Sequence, residues 1–111
     1  MSKRLPTLLI EDMLESIEKI ERYTGGMSFD NFSEDERTID AVVRNFEIIG
    51  EACRQLPQEF KAVHTTIPWR EIADFRNLLI HDYFGVSLPV VWNIVTQNLP
   101  DLKRQLAFLK T

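Results

Sequence analysis

The chain has 111 residues, of which 44% are hydrophobic, 10% aromatic and 27% charged, with a formal net charge of −4. This is the length of one domain, residues 1–111, with an ordinary globular composition, which excludes a disordered tail, a collagenous repeat and a disulfide scaffold. The one cysteine, Cys53, has no partner for an internal disulfide, the uncharged runs are too short to span a bilayer, and the segment from Met1 to Ile10 lacks the pattern of a signal peptide. A cytoplasmic protein with no membrane association is expected. The acidic balance weighs against general nucleic-acid binding, because phosphate is repelled by like charge. The acid is concentrated, however. Residues 1–36 carry nine acids and four bases, whereas residues 37–111 carry eight acids and nine bases, so a local anion site in the later part is open.

Prolines at 6, 57, 68, 89 and 100 and glycines at 25, 26, 50 and 85 fall almost entirely between periodic stretches, which is how helices are punctuated. A first helix is predicted over about Thr7–Thr24, with Leu9, Ile10, Met13, Ile17 and Ile20 on one side and Glu11, Glu15, Glu18 and Arg22 on the other. Those acids read as a solvated face. Gly25-Gly26 stops the helix, and a helical turn follows near Phe29–Ser33. A second helix spans about Asp35–Gln55. Its main stripe is Ile39, Val42, Val43, Phe46, Ile49 and Cys53, with Ala41, Ile48 and Ala52 beside it. Asp40, Arg44, Glu47, Glu51 and Arg54 are left as the wet side. So wide an apolar arc belongs either to a central core helix or to one that also meets a second chain. Pro57–Val63 reads as another turn. Pro68 opens a third helix that runs to about Tyr83, and Ser87 caps a fourth that carries Leu88, Val91, Trp92 and Val95. Pro100 marks a kink or a fresh start before Leu102, Leu106 and Leu109. No alternating strand pattern is found, so the predicted fold is all-α, an antiparallel four- to five-helix bundle.

The segment from Trp69 to Phe84 carries the chemistry. On a helix, Trp69, Ile72, Arg76, Leu79, Ile80 and Tyr83 share about one third of the wheel, which sets a guanidinium inside an apolar stripe. A partly buried guanidinium needs an anionic or polar partner, either Glu47, Glu51 or Asp74 in an ion pair, or a phosphate. Asn77 and His81 are one helical turn apart, so the amide can orient the imidazole. Cleavage of RNA by its own 2′-hydroxyl needs a base, an acid and a cation for the charged phosphorane, and no metal. One chain offers one well-placed histidine, since His64 falls in a loop. A two-fold dimer would bring two copies of Arg76 and His81 together.

Plainer readings stand beside these. A histidine near a helix C-terminus often caps carbonyls, and a tyrosine is often a core residue with its hydroxyl at the rim. Asp82 points away from His81 and is expected in solvent. Lys103, Arg104 and Lys110 form a basic end that either complements a helix terminus or touches RNA. Glycine-rich phosphate loops, H-E-x-x-H and C-x-x-C are all missing, and two histidines with one cysteine make no zinc constellation, so neither metal nor other cofactor is expected.

The run R-N-L-L-I-H-D-Y, Arg76 to Tyr83, resembles the R-x-x-x-x-H-x-Y signature of HepT-like toxins in the HEPN superfamily. The similarity extends to L-L-I-E-D-M-L-E-S-I-E-K-I-E-R-Y-T at 8–24, to D-A-V-V-R-N-F-E-I-I-G-E-A at 40–52 and to the flanks of the signature at 67–86. The resemblance implies an all-α, homodimeric, metal-independent ribonuclease with a composite site at the dimer interface. It implies that Arg76 and His81 are catalytic, that Asn77 is the polar residue following the arginine, and that Tyr83 accepts AMP from a cognate antitoxin, the minimal nucleotidyltransferase MntA. AMP beside the anion site would repel RNA phosphate. The implied partners are RNA, an MntA-like enzyme and a second copy of the chain, alone or in a larger assembly with the antitoxin. Two other classes are open. One is a non-catalytic subunit that docks a nucleotidyltransferase through Tyr83, and the other is a nucleotide-binding module.

Overall fold

A computed structural model describes residues 4–81 and 86–110. Among these residues the chain is helical throughout, in the order α1 (Pro6–Thr24), α2 (Phe29–Glu34), α3 (Glu36–Gln55), α4 (Gln58–Val63), α5 (Trp69–His81), α6 (Leu88–Asn93) and α7 (Leu99–Leu109), with a π-helical turn (Ile94–Asn98) joining the last two. The all-α bundle expected from the sequence is the observed class.

Local chemistry sets the ends of the first helices. At the end of α1 the Thr24 hydroxyl donates to Ile20 C=O at 2.8 Å, and Gly26 adopts φ +78°, a left-handed conformation open to glycine. A capping box starts α2: Asn31 N–H donates to Ser28 Oγ, and Ser28 N–H donates back to Asn31 Oδ1. Asp35 caps α3 by accepting from Thr38 N–H at 3.1 Å, and this bond holds its carboxyl below the usual carboxylate range.

The sequence left α3 with two readings, and α3 is the central helix. It packs along α1 on one side and α5 on the other. Ile39, Val42, Val43, Phe46, Ile49, Ala52 and Cys53 are buried in one core cluster with Met13, Ile17 and Ile20 of α1. At roughly 25 cal/mol per Å² of apolar surface, full burial of each valine, isoleucine and phenylalanine side chain stabilises by about 1.5–3 kcal/mol. One sequence assignment on α3 fails. Glu47 and Glu51 are half-buried rather than wet, because the groove between α1, α3 and α5 admits them.

The apolar stripe of α5 is also turned from its predicted direction. Leu79 is buried and Phe75 packs edge-on against Phe46 at 5.1 Å, whereas Ile80 is 41% exposed beside Leu78 at 45%. The helix thus meets α3 through Phe75, Arg76 and Leu79, and this rotates Ile80 outward.

Pro100 stands in the first turn of α7, which begins at Leu99 directly after the π-turn, so the fresh start expected from the sequence is observed. Proline has no N–H and its ring crowds the carbonyl four residues back, here that of Thr96. The π-turn absorbs the problem by widening the loop, so that Leu99 N–H reaches Ile94 C=O. The Thr96 hydroxyl adds a bond to Trp92 C=O at 3.0 Å. No described helix is long and apolar enough to cross a membrane.

Candidate active site

Arg76 reaches its position because α3 has no side chain opposite it. A Cβ built on Gly50 would overlap Arg76 Cβ and Cγ, with Arg76 Cα only 3.5 Å away. Glycine in a helix interior costs about 1 kcal/mol relative to alanine, so close approach of α5 is what it provides. The arginine's stem lies in this notch and its head turns toward solvent, leaving the side chain 23% exposed.

The guanidinium is held at both ends. Nη2 donates to Glu51 Oε2 at 3.0 Å, and Nη1 donates to Asn77 Oδ1 at 3.2 Å. Nε is buried with no partner. Of the anionic partners the sequence offered, Glu51 is the one engaged. Asp74 instead faces Arg70 at 3.9 Å, and Glu47 lines the same groove as Arg76. The ion pair sits on the groove wall rather than deep in the core.

Glu51 is itself crowded by donors. Arg54 grips both carboxylate oxygens, at 2.8 and 3.2 Å, and Gln55 Nε2 adds a bond at 3.3 Å. These bonds, that from Arg54 foremost, keep the Glu51 carboxyl below its usual range against the opposing effect of burial. The carboxylate is therefore ionised at neutral pH.

The groove has a volume of about 310 Å³. Arg4, Arg44 and Arg76 line it, together with Asp12, Glu47 and Glu51 and the apolar Leu9, Ile48 and Ile80. Arg4 is bound in bidentate fashion to Asp12 at 2.7 and 2.9 Å. An acidic protein thus gathers three guanidinium groups in one concavity.

His81 is exposed and lies one turn beyond Asn77, at the end of the described part of α5. The structure therefore brings Arg76 and Asn77 into contact and puts His81 on the same helix end. Tyr83 and Asp82 lie outside the described residues. His64 caps α4 with its ring 4.6 Å from that of Phe60, and its carbonyl accepts from Trp69 Nε1 at 2.9 Å, away from the groove. The basic end at Lys103, Arg104 and Lys110 is paired within the chain, with Glu21 at 2.9 Å, with Asp101, and with Glu11 at 3.6 Å. Among the described residues no group of three or more His, Cys, Asp or Glu is placed to hold a metal ion.

No motif in the sequence marks Gly50, Arg54 or Gln55 as part of the site. A signal for Gly50 was present, since it is the one glycine inside a long apolar-periodic helix.

Residues 13–109 match the model of a family described as ribonuclease HepT-like. The chain belongs to the ribonuclease HepT-like family. A protein of Thermococcus cleftensis named "Probable ribonuclease HepT" is 48% identical over 94 residues, covering 85% of this chain and 86% of that protein. A protein of Caldanaerobacter subterraneus named "Putative RNase" is 39% identical over 102 residues, covering 92% and 91%. A longer protein of Methanocaldococcus jannaschii, named "Gamma-glutamylcyclotransferase and putative RNase", is 43% identical over 99 residues, which cover 89% of this chain but 45% of that protein. No solved structure matches the chain.

Proposed function

We propose that this HepT-like chain is a metal-independent RNA endonuclease, acting as one domain in a homodimer whose two copies of Arg76 and His81 form a single centre. The observation that carries the reading is the partly exposed Arg76 guanidinium, clamped on the wall of a groove lined by arginines and carboxylates, on the helix that bears His81. One imidazole takes the proton of the 2′-hydroxyl, the freed oxygen attacks phosphorus, and the bond to the 5′-oxygen breaks. An imidazolium returns a proton to the leaving oxygen, giving a 2′,3′-cyclic phosphate and a 5′-hydroxyl. Arg76 carries the charge that develops on the phosphorane. The dimer reading is supported by Ile80, an exposed apolar side chain on the groove wall with Arg76.

The finer reading is a toxin of a toxin–antitoxin pair, with Tyr83 adenylylated by an MntA-like nucleotidyltransferase. Tyr83 follows His81 by two residues in the sequence, and a phosphate on it would add negative charge that repels RNA phosphate. Asn77 acts here as the residue that steadies Arg76, its amide oxygen being engaged with the guanidinium.

The test is cleavage of RNA in EDTA by purified parent, Arg76→Ala and His81→Ala, with dimer mass checked by light scattering. Parent cleaves and both variants are inert as intact dimers. A variant dimer that cuts RNA as well as the parent overturns the assignment.

A further inference from the structure

The Arg76 fork has five N–H donors, and the contacts within the chain account for only some of them. One hydrogen of Nη2 goes to Glu51 and one of Nη1 to Asn77. The Nε hydrogen is buried and is closed to a ligand. One N–H on each terminal nitrogen remains. Those donors can give charge-assisted hydrogen bonds to phosphate oxygens. Their orientation depends on the carboxylate at Glu51, which is itself fixed by Arg54 through both oxygens and by Gln55. A free arginine side chain samples many rotamers, and holding it in one costs entropy that such a chain of bonds offsets in advance.

We propose that Glu51 is a positioning residue: with Arg54 behind it, its carboxylate fixes the Arg76 guanidinium so that its remaining terminal N–H groups meet the scissile phosphate. This rests on the ribonuclease reading above. Glu51 touches no substrate. It acts through Arg76 and raises the turnover of bound RNA more than it raises RNA affinity.

The experiment compares steady-state RNA cleavage by purified full-length parent, Glu51→Ala, Glu51→Gln, Arg76→Lys and the Glu51→Ala/Arg76→Lys double variant. Misplacing a catalytic group by about 1 Å can cost about 10²-fold, so Glu51→Ala is expected to lower kcat by about 10- to 100-fold with KM within about threefold. Glu51→Gln keeps an oxygen that accepts from Arg76 and falls between Glu51→Ala and the parent. Lysine has no fork to orient, so Glu51→Ala adds less than about twofold to the loss in Arg76→Lys, a non-additivity that a general structural role would not produce. A Glu51→Ala enzyme that cleaves as fast as the parent or faster, or whose loss multiplies fully in the Arg76→Lys background, overturns the proposal while leaving the ribonuclease reading intact. A parent without RNA cleavage, or an Arg76→Lys variant equal to the parent, brings down the underlying reading as well. If Glu51→Ala yields no folded dimer, Glu51→Gln decides alone, and a kcat equal to the parent's refutes the role.

Discussion

Replacing Gly50 by alanine tests how tightly α5 must seat on α3. The added Cβ would overlap Arg76 Cβ and Cγ. Carbon atoms rest about 3.5–4.0 Å apart, so α5 has to retreat on the order of 1 Å. The atoms in the way are close to the backbone of α5 and cannot swing aside like the end of a flexible chain. Overpacking of this kind costs about 1–3 kcal/mol, and this site lies at the upper end. Alanine recovers about 1 kcal/mol of helix propensity. The balance is a loss of about 2 kcal/mol, which for a domain of this size lowers Tm by roughly 10 °C. Thermal unfolding of parent and variant at one fixed protein concentration measures it, since a dimer's Tm depends on concentration. RNA cleavage by the same samples should fall, because the displaced residue is Arg76. A Gly50→Ala protein as stable as the parent would refute the close-approach explanation for this glycine.

Two further outcomes follow from the structure and a third from the proposed function. Cys53 is buried, donates to Trp69 C=O at 3.5 Å, and has its thiol pushed up to about 11 by desolvation, so it should resist alkylation at pH 8 in the native state and react only on unfolding; fast labelling of folded protein would contradict its placement. The Glu51 carboxyl lies below its ordinary value in the folded state, so its contribution to stability is complete above about pH 4.3 and is lost as pH falls through the lower folded value. The stability gap between parent and Glu51→Gln, measured by urea unfolding, should therefore shrink on acidification, and a gap that is constant from pH 7 to pH 3 would show that the ion pairs contribute nothing. For Tyr83→Phe, incubation with an MntA-like enzyme and ATP should give no mass increment of AMP on the chain, while the parent gains one; an equal gain in both would move the acceptor elsewhere.

Much of the fold is legible in the sequence because its helices are bounded by local chemistry. The start of α3 at Asp35 and the end of α1 at Gly25-Gly26 follow from a capping carboxylate and a left-handed glycine, which need no tertiary information. The burial of Val42, Phe46 and Ile49 follows from period alone. What the period does not fix is which neighbour a helix turns toward. For α5 the contact with α3 is set by the notch at Gly50, and this puts Phe75 inward and Ile80 outward against the wheel. Similarly, Glu51 looked wet on its own helix and became half-buried through the approach of another. Arg76 was legible as a charge needing a partner, but choosing Glu51 over Glu47 or Asp74 depends on the rotation of two helices. Pro100 was legible as the start of α7, whereas the π-turn before it has no local signal.

The dependence of RNA cleavage on assembly tests the central claim most directly, that two copies of the chain complete one centre. The measurement is the cleavage rate per chain in EDTA across a dilution series, with the dimer fraction determined on the same samples by mass photometry. The account predicts a rate per chain that falls in proportion to the dimer fraction. A rate per chain that stays constant where only single chains remain would contradict it.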